Sequence, residues 1–570
     1  MVGTCERERY SLLKRTAVFT LLLLLICAAG HAEEPFLLHV MKEELNRSFS
    51  ILKQKADPPP YFISYEISEQ QTYSLSATLG ALVTNTQSHS RLLDVTVRVG
   101  DYRLDNYHRL RGQAGFGGAG GGGALTISLD NDPDSIKASL WAQTDRKYKL
   151  AAQRLIRIKT NRAVKVDEED SSDDFSREEP VVFAGPRAPL NFSPQPWAVR
   201  LKKLSAAFRS HPQVLESKLI LHVESLNKSL VNTEGTAVEH GRNFLRLMIT
   251  ARARADDGMD LDRFESFEAA DPSGFPPDDQ ILAVIETMAR ELEQMRKAPP
   301  AEPFVGPAIL SGRASGVFFH EILGHRVEGH RQKDEEEGQT FAKKLGEPIL
   351  PPFLSVIFDP TLKKHNGIEL NGWYDFDDEG VKARPVTVVD QGVLKTFLMT
   401  RSPIASVSRS NGHARRQPGR EVVSRQSNLL VESTRRVSDE ELRRMLIAEI
   451  RRQNKPYGLY FRDIQGGFTT TSREGVQAFK VMPLVVYRVY ADGRPDELIR
   501  GADIVGTPLA AFGKILATSD RTEVFNGYCG AESGSVPVSA ISPAILVSEM
   551  EIERQRTAQD RPPLLPPPEN

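Results

Sequence analysis

The stretch Gly316-Val-Phe-Phe-His320-Glu321-Ile-Leu-Gly324-His325-Arg-Val-Glu328-Gly-His330 runs from an apolar helical pattern into a cluster of imidazoles and carboxylates. Three of the 12 histidines in the 570-residue chain fall within it, and Glu321 directly follows the first. Neutral imidazoles are zinc ligands, and a carboxylate beside the metal can deprotonate its water. In the familiar arrangement two histidines at i and i+4 share one helix face. Here the spacing is i to i+5, which on an ideal helix sets the side chains about 140° apart. Both reach one ion only if the helix bulges or ends between them, and Gly324 is the residue expected to tolerate that distortion. By itself the motif leaves open a metal centre or ordinary polar side chains at a helix end.

N-terminal to this stretch the pattern is mixed α and β. Leu38, Met41, Leu45, Phe49 and Leu52 recur at helical spacing, whereas Leu93, Val95, Val97 and Val99 alternate as in a half-buried strand. Asp132-Pro133 opens a helix predicted to run to Ile158, Lys218–Ser225 returns to strand character, and residues 278–295 form a capped amphipathic helix ended by Pro299-Pro300. C-terminal to it strands dominate. A hairpin turns at Asp390-Gln391-Gly392, and β segments are expected at 393–397, 458–461, 476–481, 484–490 and 544–552. One helix opens at the capping box Ser438-Asp-Glu-Glu441. The expected class is therefore α+β. A mixed α/β domain over 33–300 precedes a β-rich domain over 301–556, with the histidine helix near their junction. A Pro-rich disordered tail follows over 557–570.

Composition narrows the function. With 73 Lys+Arg against 75 Asp+Glu and a net charge of -2, the chain lacks the bulk positive charge of a nucleic-acid coat. Residues 112–123 (GQAGFGGAGGGG) lack the spacing and lysine of a phosphate loop and read as a surface loop. The acidic run 167–179 lacks calcium-loop spacing. The first 32 residues carry Arg7, Arg9, Lys14 and Arg15, an apolar run from Ala17 to Ala29, and small Gly30 and Ala32, the layout of a cleavable secretory signal. It predicts an exported, periplasmic protein with no stable membrane span after cleavage. Of the 3 cysteines, Cys5 and Cys27 lie in that segment, leaving Cys529 as a lone exported cysteine. Such a thiol is inert, paired between chains, or held by a metal.

His320-Glu-Ile-Leu-Gly-His325 followed by Val327-Glu328-Gly329 resembles the HExxxH helix of the TldD/PmbA family of metalloproteases, specifically its HExxxH-containing TldD type. Asp377-Asp-Glu-Gly380, Val386–Met399, Glu474-Gly475, Ile499-Arg-Gly-Ala502, Gly527-Tyr-Cys529-Gly530, Val536-Pro-Val538 and Ser542-Pro543 follow in the family's order. The resemblance covers about 300–552 well and the N-terminal half in outline. It implies that His320, His325 and Cys529 bind Zn2+, that Glu321 is the general base, and that an open fourth position makes the site catalytic. His330 stands as an alternative third ligand, and Glu328 as a partner orienting an imidazole. The implied function is hydrolysis of unstructured peptides by Glu-activated, zinc-bound water. The implied assembly is a homo- or hetero-oligomer with a homologous subunit. Pro307–Ser311 is the expected strand for substrate pairing, with Gly312 and Gly316 permitting close approach. The rival readings are a catalytically silent subunit or peptide-binding partner, and a metal-dependent hydrolase of a cell-wall amide.

Overall fold

The computed structural model describes residues 34–109, 123–162, 170–334, 336–473, 479–507, 511–555 and 565. The signal segment, the Gly-rich run up to residue 122, residues 167–169, Glu474-Gly475 and nearly all of the tail lie outside the described residues. No described helix is long and apolar enough to cross a membrane.

The first half forms helices α1 (Phe36–Lys55), α2 (Pro133–Arg162), α3 (Pro194–Ser205) and α4 (Asp278–Lys297) around strands β1 (Pro60–Thr78), β2 (Ala81–Val99), β3 (Glu216–Asn232), β4 (Ala237–Arg254) and β5 (Asp260–Ala269). Helix α4 follows from its residues. Ile281, Ile285, Met288, Leu292 and Met295 are spaced to bury one face. Asp278 and Asp279 occupy its first turn and Arg296 and Lys297 its last, complementing the helix dipole. Asp132 caps α2 by accepting the amide of Ser135 at 2.7 Å. The long strands pair antiparallel in the order β2-β1-β3-β4, with β5 on β4. These strands are longer than the alternation in the sequence signals, because pairing continues past the half-buried stretches into exposed hairpin arms.

The second half builds a 12-stranded sheet from strands far apart in sequence. Its main members are β6 (Phe304–Leu310), β7 (Leu354–Phe358), β8 (Val386–Asp390), β9 (Asn428–Ser433), β10 (Gly458–Thr469), β11 (Phe479–Val489), β12 (Ala502–Gly506), β13 (Ile515–Ala531) and β14 (Gly534–Arg554). The segments expected at 476–481 and 484–490 are joined here, since Pro483 is accommodated at an irregular register opposite Ile464. Strand β6 pairs parallel with β10 and antiparallel with β14. With β12 and β11 this closes a circuit of strands that leaves β6 no edge. Pro307–Ser311 therefore cannot take a substrate by backbone pairing: Ala308, Ile309 and Leu310 are already matched to Leu459–Phe461 on one side and to Val547, Leu546 and Ile545 on the other.

Helix α5 (Gly312–Ile322) lies on this sheet. Ser311 caps it, accepting the Ala314 amide at 3.1 Å. Phe318 and Phe319 pack against Phe479 and Phe512 in the largest buried cluster. Gly312 and Gly316 do allow close approach, but of strand β14: an added Cβ would meet the Ser542 carbonyl oxygen at 2.5 Å and the Ala540 Cβ at 3.1 Å. Arg313 in the first turn of α5 donates to Glu265 on β5 at 2.8 Å, tying this helix to the first sheet. The two halves of the chain are further joined by ion pairs between Arg263 and Asp463, Lys228 and Asp378, and Arg401 and Glu234. Helix α6 (Asp439–Arg452) starts as its capping box predicts, with Ser438 Oγ accepting the Glu441 amide at 3.2 Å.

Candidate metal centre

Helix α5 ends at Ile322, and residues Gly324–Val327 continue as a 3-10 turn. This change of winding between the histidines is what the five-residue spacing requires, and it sets the His320 and His325 rings 5.1 Å apart at 80°. Gly324 has a different reason to be glycine from the one expected. Its backbone is not in the left-handed region; instead an added Cβ would lie 2.0 Å from Gln426 Oε1. The glycine admits a neighbouring side chain and does not itself relieve strain.

Cys529 comes from the far side of the sequence. It lies on β13 opposite Val536 of β14, buried with Val536 and Val538 near the hairpin turn. His320, His325 and Cys529 each offer a ligand atom within 4.8 Å of the others, the one such group found among the described residues. Cys529 Sγ is 3.3 Å from His325 Nε2. Nitrogen and sulfur ligands of a tetrahedral zinc, about 2.0 and 2.3 Å from the ion, stand about 3.5 Å apart, so the donor set fits that ion. Burial opposes charge at both groups. Even so, the neighbouring imidazoles hold the Cys529 thiol well below its ordinary value, and His325 is held well above its own by the thiolate and Glu328. The shift favours the thiolate, the form that binds metal.

Glu321 stands beside the donors. It is buried, its Oε2 is 4.0 Å from His325 Nε2, and burial raises its pKa. Strand β10 crosses over it at Gly467, where an added Cβ would meet Glu321 Cγ at 2.7 Å. Arg326 fastens this strand to the helix end: Nη1 donates to the Glu321 carbonyl at 3.0 Å and to Thr469 Oγ1 at 2.7 Å, while Nη2 reaches the Thr470 carbonyl at 3.2 Å. The bond to Glu321 satisfies a carbonyl that the helix terminus otherwise leaves open.

Glu328 lies where an orienting partner would, 3.4 Å from His325 Nδ1, which leaves Nε2 facing the thiol. It is fully buried, and although burial opposes its charge, His325 and Arg331 push its pKa down to about 2. His330 is not in the ligand group. Its Nε2 engages Glu532, which also accepts from Arg331 Nη2 at 2.9 Å. The second winding change needed to bring His330 round to the donors does not occur; a short helix, His330–Lys333, turns it toward the β13–β14 hairpin. Arg326, Arg331, Arg425, Gln426, Gly467 and Glu532 were not singled out from sequence. Buried arginines have no periodic signature, and only proximity to Cys529 could have drawn attention to Glu532.

Residues 305–554 match the family model of the PmbA/TldA metallopeptidase C-terminal domain. A metalloprotease of Archaeoglobus fulgidus is 28% identical over 270 residues, which span 47% of this chain and 57% of that relative. A zinc metalloprotease TldD homolog of Saccharolobus solfataricus is 23% identical over 346 residues, 60% of this chain and 72% of the relative. The chain thus spans little more than half of the A. fulgidus protein. Among solved structures, TldE from Thermococcus kodakarensis superposes with a TM-score of 0.59 over 90% of this chain and 100% of that one, at 15% identity, a likeness of fold. The matched domain and the metalloprotease relatives place residues 305–554 of this chain in the TldD/PmbA family, and the likeness to TldE adds a shared fold.

Proposed function

We propose that the chain is an exported zinc metallopeptidase that hydrolyses unstructured peptides, with His320, His325 and Cys529 as zinc ligands and Glu321 as general base. The observation that carries this reading is the convergence of two imidazoles and a thiol within 4.8 Å beside a buried carboxylate. Zinc held there would polarise the scissile carbonyl as a Lewis acid. Glu321 takes a proton from the attacking water and delivers it to the departing amine nitrogen. Burial suits it to this task, because a carboxylate with a raised pKa is the stronger base. Glu328 fixes the tautomer and orientation of His325 through Nδ1.

The substrate backbone pairs with β10, in place of Pro307–Ser311. One edge of β10 is matched to β11 along its length, while the other carries β6 only at Leu459–Phe461. No described strand pairs with that edge beyond Phe461. A peptide added over residues 465–469 runs past Glu321 at Gly467, with Phe468, 54% exposed, available for side-chain contact. The apolar, basic-flanked first 32 residues support export, and a homologous subunit is the expected partner.

The test is cleavage of a degenerate peptide library, alongside muropeptides, with and without a chelator. Chelator-sensitive peptide cleavage that Glu321→Gln abolishes while zinc stays bound is the expected result. Unchanged turnover in that variant would remove Glu321 from the reaction, and cleavage confined to muropeptides would reassign the substrate.

A further inference from the structure

The three proposed ligands sit on two elements separated by 204 residues between His325 and Cys529, and a third segment touches both. Arg425 and Gln426 lie just before β9, with Ser427 between. Arg425 is wholly buried. Its Nη2 donates to the Cys529 carbonyl at 2.6 Å, and its Nη1 donates to Ser533 Oγ at 2.8 Å and the Gly534 carbonyl at 3.0 Å. Its Nε faces Glu328 Oε1 at 3.4 Å, and Glu328 holds His325. One planar guanidinium therefore spans from the hairpin bearing Cys529 to the carboxylate that orients His325. Gln426 completes the set: its Nε2 donates to the His320 carbonyl at 3.3 Å, and its side chain fills the space left by the missing Cβ of Gly324.

We propose that Arg425 and Gln426 are positioning residues that set the spacing of all three ligands before metal arrives. The geometry suits arginine in particular. A guanidinium is a rigid planar fork; here its Nη1 and Nη2 donate to main-chain and hydroxyl oxygens on one side, while Nε faces a carboxylate on the other as an ion pair without a hydrogen bond. Lysine retains the charge but cannot span both. A charge in so dry a place is retained only with partners on every side, and the partners of Arg425 are the two ligand-bearing elements. Gln426 governs where the helix ends: shortening it removes the hold on His320 and vacates the space at Gly324.

The inference rests on the zinc reading, and its test separates the two. Zinc affinity is measured by chelator competition, and the cobalt-substituted protein is examined for its thiolate-to-metal absorption, in wild type, Arg425→Lys, Arg425→Met, Gln426→Ala and Glu328→Gln. Circular dichroism and thermal melting report the fold. Iodoacetamide alkylation of metal-free protein reports how Cys529 is held. Loss of zinc affinity by about 10- to 100-fold, a shifted cobalt spectrum and faster alkylation in both Arg425 variants are expected, with the Lys variant keeping its fold. Gln426→Ala is expected to alter the cobalt spectrum while leaving alkylation near wild type, since Gln426 holds His320 and not the hairpin. If wild type binds zinc through sulfur but the Arg425 variants match it in affinity, spectrum and alkylation rate, the positioning role is overturned and the zinc reading stands. If Arg425→Met fails to fold, Arg425→Lys and Glu328→Gln decide the point. If wild type binds no zinc, the parent reading fails and this one with it.

Discussion

The first sheet is assembled from hairpins, with β1 beside β2, β3 beside β4 and β4 beside β5, so most of its pairing joins segments close along the chain. In the second, β6 is inserted between β10 and β14, more than 140 and 220 residues later respectively. Both are well packed, yet among the described residues the one His/His/Cys cluster lies with the second. Non-local pairing costs loop-closure entropy and folds slowly, but it can bring a thiol and two imidazoles from opposite ends of a domain into one dry space. The first half supplies bulk and docking through Arg263, Lys228 and Glu234; the second carries the donor cluster.

That division can be broken at several points. Cys529→Ala should reduce zinc affinity far beyond the 10- to 100-fold typical of indirect partners and abolish peptidase activity. Full zinc occupancy with high affinity in that variant, measured by competition titration, would send the search for a third ligand elsewhere. In the first sheet, Leu247→Ala empties a fully buried position and should cost about 2–5 kcal/mol of stability while zinc content per folded chain stays at the wild-type level. Loss of metal there would mean the two sheets are not separable in this way. Gly467→Ala lies between these extremes. The added Cβ displaces Glu321, and a misplacement near 1 Å costs about 10²-fold in turnover, with zinc affinity nearly unchanged; steady-state kinetics and metal analysis read the two separately.

A graded effect, only about 1.4 kcal/mol for the first pH unit, is shared by both regions, because each holds a histidine with a lowered pKa. Burial lowers the pKa of His240 on β4 to about 4 and that of His413 to about 3. A depressed base favours the folded state fully above its unfolded value near 6.5, and that contribution is lost as pH falls toward the folded value. Stability should therefore decline below pH 6.5, by about 1.4 kcal/mol per pH unit for each group while only the unfolded state takes up its proton. The windows reach to about pH 4 for His240 and about pH 3 for His413. Urea unfolding of His413→Asn across pH 4–6.5 should show a shallower slope than wild type; an identical slope would mean that this histidine does not carry the effect.

The contrast also explains what could be read from residues alone. Helix α4 was legible because its apolar spacing, acidic start, basic end and following prolines all agree. The break in helix α5 was legible because a five-residue spacing puts two histidines on no common face of an α-helix. The joining of strands was not, since β-pairing partners are chosen by the whole fold: β6 looked like an available strand and proved to be paired on both edges. Gly312 and Gly316 were read as sites of close approach, but it is β14 that approaches them, and Gly324, read as a point of backbone distortion, instead makes room for Gln426; both partners depend on tertiary structure. Arg425 left no trace in the sequence because a buried arginine is defined entirely by its partners.

The central claim is a zinc ion gripped by His320, His325 and Cys529. Zinc X-ray absorption on the purified chain tests it most directly. The account predicts about one zinc per chain with one sulfur near 2.3 Å and two imidazole nitrogens near 2.0 Å, the sulfur shell vanishing in Cys529→Ala. A wild-type spectrum built of nitrogen and oxygen alone would contradict it.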